Sequence, residues 1–149
     1  LYAANLDAAT LVGVDLTDAL MGVARLTRAN LSRAILRNVD LRKARLVETI
    51  VIGADLTEAA LDLAVLRGAR LDGAILRESR LMGVEGTEAS LAGADLSGAN
   101  MQGATLRGAD LTQTRLAGTN LRRANMHDAK LDDAVFADTV MPDGSVRAR

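Results

Sequence analysis

Ala54-Asp55-Leu56-Thr57-Glu58 and, forty residues on, Ala94-Asp95-Leu96-Ser97-Gly98 decide the fold, because the leucine in each belongs to a series that recurs every fifth residue. From Leu1 to Met141 the 29 positions of that series hold 22 Leu, 4 Met, Val51, Gly86 and Phe136. An α-helix advances about 100° per residue, so this period would scatter the leucines around its circumference. A flat strand alternates faces, so an odd spacing sends successive leucines to opposite sides. A chain that turns after every five residues returns each leucine to the inside. Two places earlier the side chain is always small, from Ala4, Ala9 and Val14 to Ala134 and Thr139, which reads as a tight inward corner. The residue just before the leucine varies freely (Asn5, Asp15, Arg25, Ile35, Glu85, Lys130) and is expected to face solvent. Self-similarity at so short a period defines a solenoid, in which each unit buries its apolar residue only by stacking on its neighbours.

The unit A-(D/N)-L-x-x, unbroken over residues 1–141, resembles the pentapeptide-repeat family. The resemblance implies an all-β fold, a right-handed quadrilateral parallel β-helix, with four pentapeptides making one square coil. About seven coils at a spacing of roughly 4.8 Å would form a rod of roughly 35 Å. Residues 142–149 read as a C-terminal cap and tail. Pro142-Asp143-Gly144 is a turn signal that removes a backbone donor and ends the ladder, and similar endings occur in the family. Phe136, in the inward column of the last coil, is expected to plug the open end. No matching cap precedes Leu1, so the N-terminal face is expected to be covered by an upstream segment or a second subunit.

The composition describes one domain of 149 residues with no visible linker. There is no cysteine, which excludes disulfides and thiolate metal sites. No apolar run approaches the ~20 residues needed to span a bilayer, and with no signal segment in the sequence a cytoplasmic location is expected. The net charge of −1 lacks the basic excess of a nucleic-acid binder, so no direct nucleic-acid binding is expected.

With four units per coil, residues twenty apart share a side. The side through Leu16 and Leu36 carries Asp15, Asp18, Asp55, Glu58, Glu78, Asp95 and Asp138 against Arg37, Arg77 and Arg115, a net −4. It is a candidate acidic face for a protein partner. The side through Leu1 and Met21 sums to +2 and holds a candidate basic patch of Arg42, Lys43, Arg80, Arg122 and Arg123. Gly86 is the one inward position without a side chain, where the lost leucine volume suggests a distorted coil. The glycines at 53, 68, 73, 83, 93, 98, 103, 108 and 118 all fall two places after the inward residue and read as turn residues.

No catalytic constellation is legible. His127 is alone, the serines lack a neighbouring base, and neither metal-ligand spacing nor a cofactor motif occurs. The expectation is a non-enzymatic interaction module, a rigid scaffold whose flat faces bind protein, with no cofactor and no metal. The resemblance supplies an alternative. Some family members mimic duplex DNA, bind DNA gyrase and protect this bacterial enzyme from quinolone-type poisons. That activity looks like mimicry of an anionic rod, from which the weak net charge and the arginines on the acidic side depart.

Overall fold

The computed structural model describes residues 1–149 and forms a right-handed quadrilateral β-helix. Each coil takes twenty residues, and the residue before each inward position pairs in parallel with its equivalent one coil on, from Asn5 with Arg25 to Asn120 with Val140. The rungs are single residues because the chain turns again at once. In every unit from Leu1 to Leu131 the N–H three places after the inward residue donates to that residue's carbonyl, as in Ala9 to Leu6 at 3.0 Å. Longer-range bonds join the coils, as in Leu6 N–H to the Arg25 carbonyl at 2.7 Å and Arg25 N–H to the Ala4 carbonyl at 2.9 Å.

The interior is a stack of leucines flanked by alanines, a cluster of 37 buried residues running from Met21 to Phe136. Hydroxyls are admitted to the small column only where they find an acceptor. Thr49, Thr114, Thr119 and Thr139 each donate to the carbonyl of an inward leucine 23 residues earlier, at 2.6–2.9 Å. A buried hydroxyl so paired costs little, whereas an orphaned one costs about 1–3 kcal/mol.

The coil at Gly86 is not distorted, which corrects the expectation from sequence. The ladder passes through it unbroken, with Gly86 N–H on the Thr105 carbonyl at 2.7 Å and Ala89 N–H on the Gly86 carbonyl at 3.1 Å. Leu106 Cδ2 lies only 3.2 Å from where a Cβ on residue 86 would stand, so the neighbouring leucine fills the missing volume.

At the C-terminal end the chain forms the only two-residue strands, β1 (Thr139–Val140) and β2 (Val146–Arg147), an antiparallel pair. Asp143 accepts the Ser145 N–H and hydroxyl within the intervening turn. The return strand lays the Arg147 guanidinium over the Phe136 ring, 3.8 Å from its centroid. Phe136 is buried, while Met126, Leu131 and Met141 in the same end coil are only partly covered. At the other end Leu1 is exposed, and Leu6, Leu11 and Leu16 are half-buried because no coil lies above them within residues 1–149.

The third residue of every turn has positive φ. Glycine fills ten of these 28 positions, and the other eighteen are occupied by side-chain-bearing residues. Most are polar or Ala. Val23 (φ 59°) and Leu63 (φ 59°) are the only larger apolar residues among them, and a β-branched residue there is strained. Val23→Gly is therefore expected to raise stability by about 1 kcal/mol despite glycine's greater freedom in the unfolded chain. Chemical denaturation checks this, and a lowered midpoint would show that the Val23 side chain stabilises the fold by more than its backbone strain.

Candidate functional site

The outward column is built on a specific need. The N–H just after each inward residue is the one donor that finds no backbone acceptor. All ten Asn and Asp residues of the preceding column supply it, among them Asp15 to Thr17 at 3.0 Å, Asp55 to Thr57 at 3.0 Å and Asn120 to Arg122 at 3.0 Å. The D/N of the repeat is thus a turn cap, the role these short side chains play in Asx-turns. Sequence reading missed this, although the recurrence of Asn and Asp at one register was its signal.

This rearranges the candidate acidic face. Asp55 and Asp95 cap their turns and also face Arg37 at 2.5 Å and Arg77 at 2.7 Å, while Asp15 holds both the N–H and the hydroxyl of Thr17. Asp18, Glu58 and Glu78 have no ion-pair partner; they stand at the turn corner with positive φ, and Asp18 accepts an amide hydrogen bond from Asn38 at 2.8 Å. Asp138 lies at the same corner of the last coil, also without an ion pair. Apart from Asp15 in the first coil, the free negative charge therefore lies along one corner rather than across the whole side.

The basic patch is thinned in the same way. Arg42 forms a bidentate pair with Asp40, and Arg80 lies 2.5 Å from Asp62, whose carboxylate also accepts the Met82 N–H at 3.1 Å. Lys43, Arg122 and Arg123 remain without an ion-pair partner. Five of the molecule's eight arginine–carboxylate pairs join residues eighteen apart, linking the residue after one inward position to the residue before the inward position one coil on. Each is solvent-accessible at the arginine and contributes little alone, about 0–1 kcal/mol.

The two candidate patches are neighbours. The side through Met21, Leu41, Leu61 and Leu81, called here the first side, begins just after the corner that holds Asp18, Glu58 and Glu78 and ends at the corner that holds Lys43 and Arg123. A groove across it is lined by Asp18, Leu20, Asp40, Arg42, Ala60 and Arg80. The lysine-bearing corner also carries exposed Val23, Leu63 and Met82, with Tyr2 and Leu20 at the N-terminal end of the same side. Val23 and Leu63 share one column of the twenty-residue coil, although they are scattered in sequence.

The capping geometry has a pH signature. Burial pushes the Asp55 carboxyl up, but the Thr57 hydroxyl, Arg37 and the Thr57 N–H together hold it below its ordinary value, and Asp95 is held down likewise by Ser97 and Arg77. The Thr17 hydroxyl lowers Asp15, the Arg42 guanidinium lowers Asp40, and the Thr112 hydroxyl lowers Asp110. A carboxyl held low when folded contributes stability above its unfolded pKa of about 3.9 and loses that contribution as pH falls through the folded value. Melting temperature is accordingly expected to hold from pH 7 to about 5 and to fall below about pH 4. Asn keeps the cap, so Asp55→Asn/Asp95→Asn should flatten the acid limb, and an unchanged limb would contradict the assignment.

No helix is long and apolar enough to cross a membrane, and no group of three His, Asp or Glu is placed to hold a metal ion. His127 is an exposed residue with Nδ1 2.8 Å from Asp128 Oδ2.

A four-sided β-helix of five-residue units with capped turns and flat faces defines a class of solenoid. Pentapeptide repeats match in eight copies over residues 24–62, 64–103 and 99–138, and the chain belongs to the pentapeptide-repeat family. No curated protein matches the sequence. Among solved structures it is similar to HetL, a pentapeptide repeat protein involved in heterocyst differentiation regulation from the cyanobacterium Nostoc sp. strain PCC 7120. That likeness has 31% identity over 96% of this chain and 78% of that one, with a TM-score of 0.50. It is similar as well to Rfr23 from the cyanobacterium Cyanothece 51142, with 28% identity over 89% of this chain and 88% of that one and a TM-score of 0.55. QnrB1, a plasmid-mediated fluoroquinolone resistance protein, shares the fold at 21% identity over 88% of this chain and 72% of that one, with a TM-score of 0.50.

Proposed function

We propose that this protein is a non-enzymatic scaffold that binds a protein partner across its first side. The observation that carries this reading is the juxtaposition on that side of free carboxylates at one corner with unpaired Lys43 and exposed apolar side chains at the other. A surface that offers charge of both signs and apolar contact, on a convex rod, suits a macromolecule better than a small substrate. Duplex mimicry of the gyrase-binding kind draws on continuous negative charge, and here Asp55 and Asp95 are committed to arginines and turn caps. The scaffold reading is therefore preferred.

Affinity capture of the partner tests it, with the wild-type chain compared against the Asp18→Lys/Glu58→Lys/Glu78→Lys variant. These residues have no ion-pair partner, so their reversal is expected to leave the fold intact while the captured partner is lost. Reversing Asp15, Asp55 and Asp95 instead would remove turn caps and confound the result. Undiminished recovery of the same partner by the corner variant would exclude the acidic corner, and inhibition of gyrase supercoiling at tens of micromolar protein would favour the mimic.

A further inference from the structure

We propose that the lysine-bearing corner of the first side docks an amphipathic α-helix of the partner, one that presents an acidic residue between two apolar ones at successive turns. The proposal rests on the scaffold reading and names the contact it would use.

Three observations point to this occupant. Val23 and Leu63 are the only residues larger than alanine and wholly apolar at the left-handed turn position, and both stand on this one corner with Lys43 between them. Glycine serves at ten of these turns, and polar residues or alanine serve at sixteen more, so wholly apolar side chains held in the left-handed region at this corner alone mark a position whose side chain is needed for something other than folding. Leu63 and Met82 are also exposed, and the groove of about 310 Å³ beside them is lined by Arg42, Lys43, Asp62 and Arg80. Gly83 makes room for this ridge. A Cβ there would come within 2.8 Å of Leu63 Cδ2, so the leucine lies down along the rod toward the next coil.

Charge supplies the second element. Arg42 and Arg80 are matched by Asp40 and Asp62, which leaves Lys43 as the uncompensated charge between the apolar residues. An occupant that buries Val23 and Leu63 must therefore bring a carboxylate to the level between them.

Spacing distinguishes a helix from an extended peptide. Coils stack at about 4.8 Å, so Val23, Lys43 and Leu63 lie at successive levels and span about 9.6 Å. Residues i and i+7 of a helix are about 10.5 Å apart, with i+3 or i+4 about halfway. A strand directs one face's side chains at about 6.8 Å and 13.6 Å, matching neither interval. Helix-in-groove recognition through i, i+3/i+4 and i+7 anchors fits the corner.

The test is fluorescence anisotropy with a synthetic alanine-based helical peptide carrying Leu at i and i+7 and Glu at i+3 and i+4. Its counterpart carries Lys in place of Glu. The Glu peptide is expected to bind the wild-type protein, and Leu63→Gly to weaken it at least tenfold while raising Tm, because glycine suits the backbone at that turn. Retained or improved stability removes misfolding as an explanation. Lys43→Glu is expected to reverse the preference toward the Lys peptide. Binding unaffected by Leu63→Gly, equal binding of the two peptides, or no binding at millimolar peptide would overturn the proposal. Partner capture that survives Leu63→Gly and Lys43→Glu but is lost in the acidic-corner variant would sink this contact while leaving the scaffold reading standing.

Discussion

Leu76→Asp is expected to abolish cooperative folding. Leu76 is fully buried in a column with Leu56 and Leu96, both equally inaccessible, and its carbonyl already accepts the Ser79 N–H and hydroxyl. Removing the leucine volume alone costs about 3–5 kcal/mol, since the flanking coils are held by the ladder and collapse only partly. Aspartate adds an unpaired charge in an apolar bore, itself worth several kcal/mol. Together these rival the whole stability of a small domain, about 5–15 kcal/mol. In a solenoid each unit touches only its neighbours, so a defect in the middle weakens both interfaces at once. Circular dichroism and denaturant titration check this, and a cooperative transition within about 1 kcal/mol of wild type would contradict the stacked-column account.

Phe136→Ala tests the same column at its end. The ring is buried beneath the Arg147 guanidinium and follows Leu116 in the stack. Its truncation is expected to cost about 3–4 kcal/mol by loss of buried surface, with a further contribution of roughly 0.5–1 kcal/mol from the cation–π contact. The failure should stay local, because only one neighbouring coil is disturbed. Hydrogen exchange is expected to quicken in residues 121–147 and to remain unchanged around Leu56. Uniform acceleration along the rod would mean that the end coil stabilises the whole solenoid, and no acceleration would remove Phe136 as the terminal plug.

The columns explain how much could be read in advance. An inward leucine, a small residue two places earlier and a turn at each unit follow from the period alone, since only a turning chain places Leu56, Leu61 and Leu66 inside together. The glycine positions follow too, because the third turn residue lies in the left-handed region throughout. Gly86 was misread because volume loss was weighed without the compensating side chain, and Leu106 reaches into the gap from the next coil.

The candidate site was legible only by side. Net charge per face was readable, but the division between committed and free charge was not. Whether Asp55 is a turn cap depends on one N–H that lacks a backbone acceptor, and whether Arg37 neutralises it depends on a reach across coils between residues eighteen apart. Both are side-chain bonds that the length of the coil alone does not fix. The apolar corner of Val23, Leu63 and Met82 was overlooked for a related reason, since its members are scattered in sequence and meet only along the rod axis.

Photo-crosslinking in living cells tests the central claim most directly, with a benzophenone side chain at Ala60 on the first side and, separately, at Gln113 on the opposite side. The account predicts a discrete protein adduct from position 60, lost in the Asp18→Lys/Glu58→Lys/Glu78→Lys variant, and none from position 113. An adduct from position 113 alone, or equal adducts from both, would contradict the assignment of partner binding to the first side.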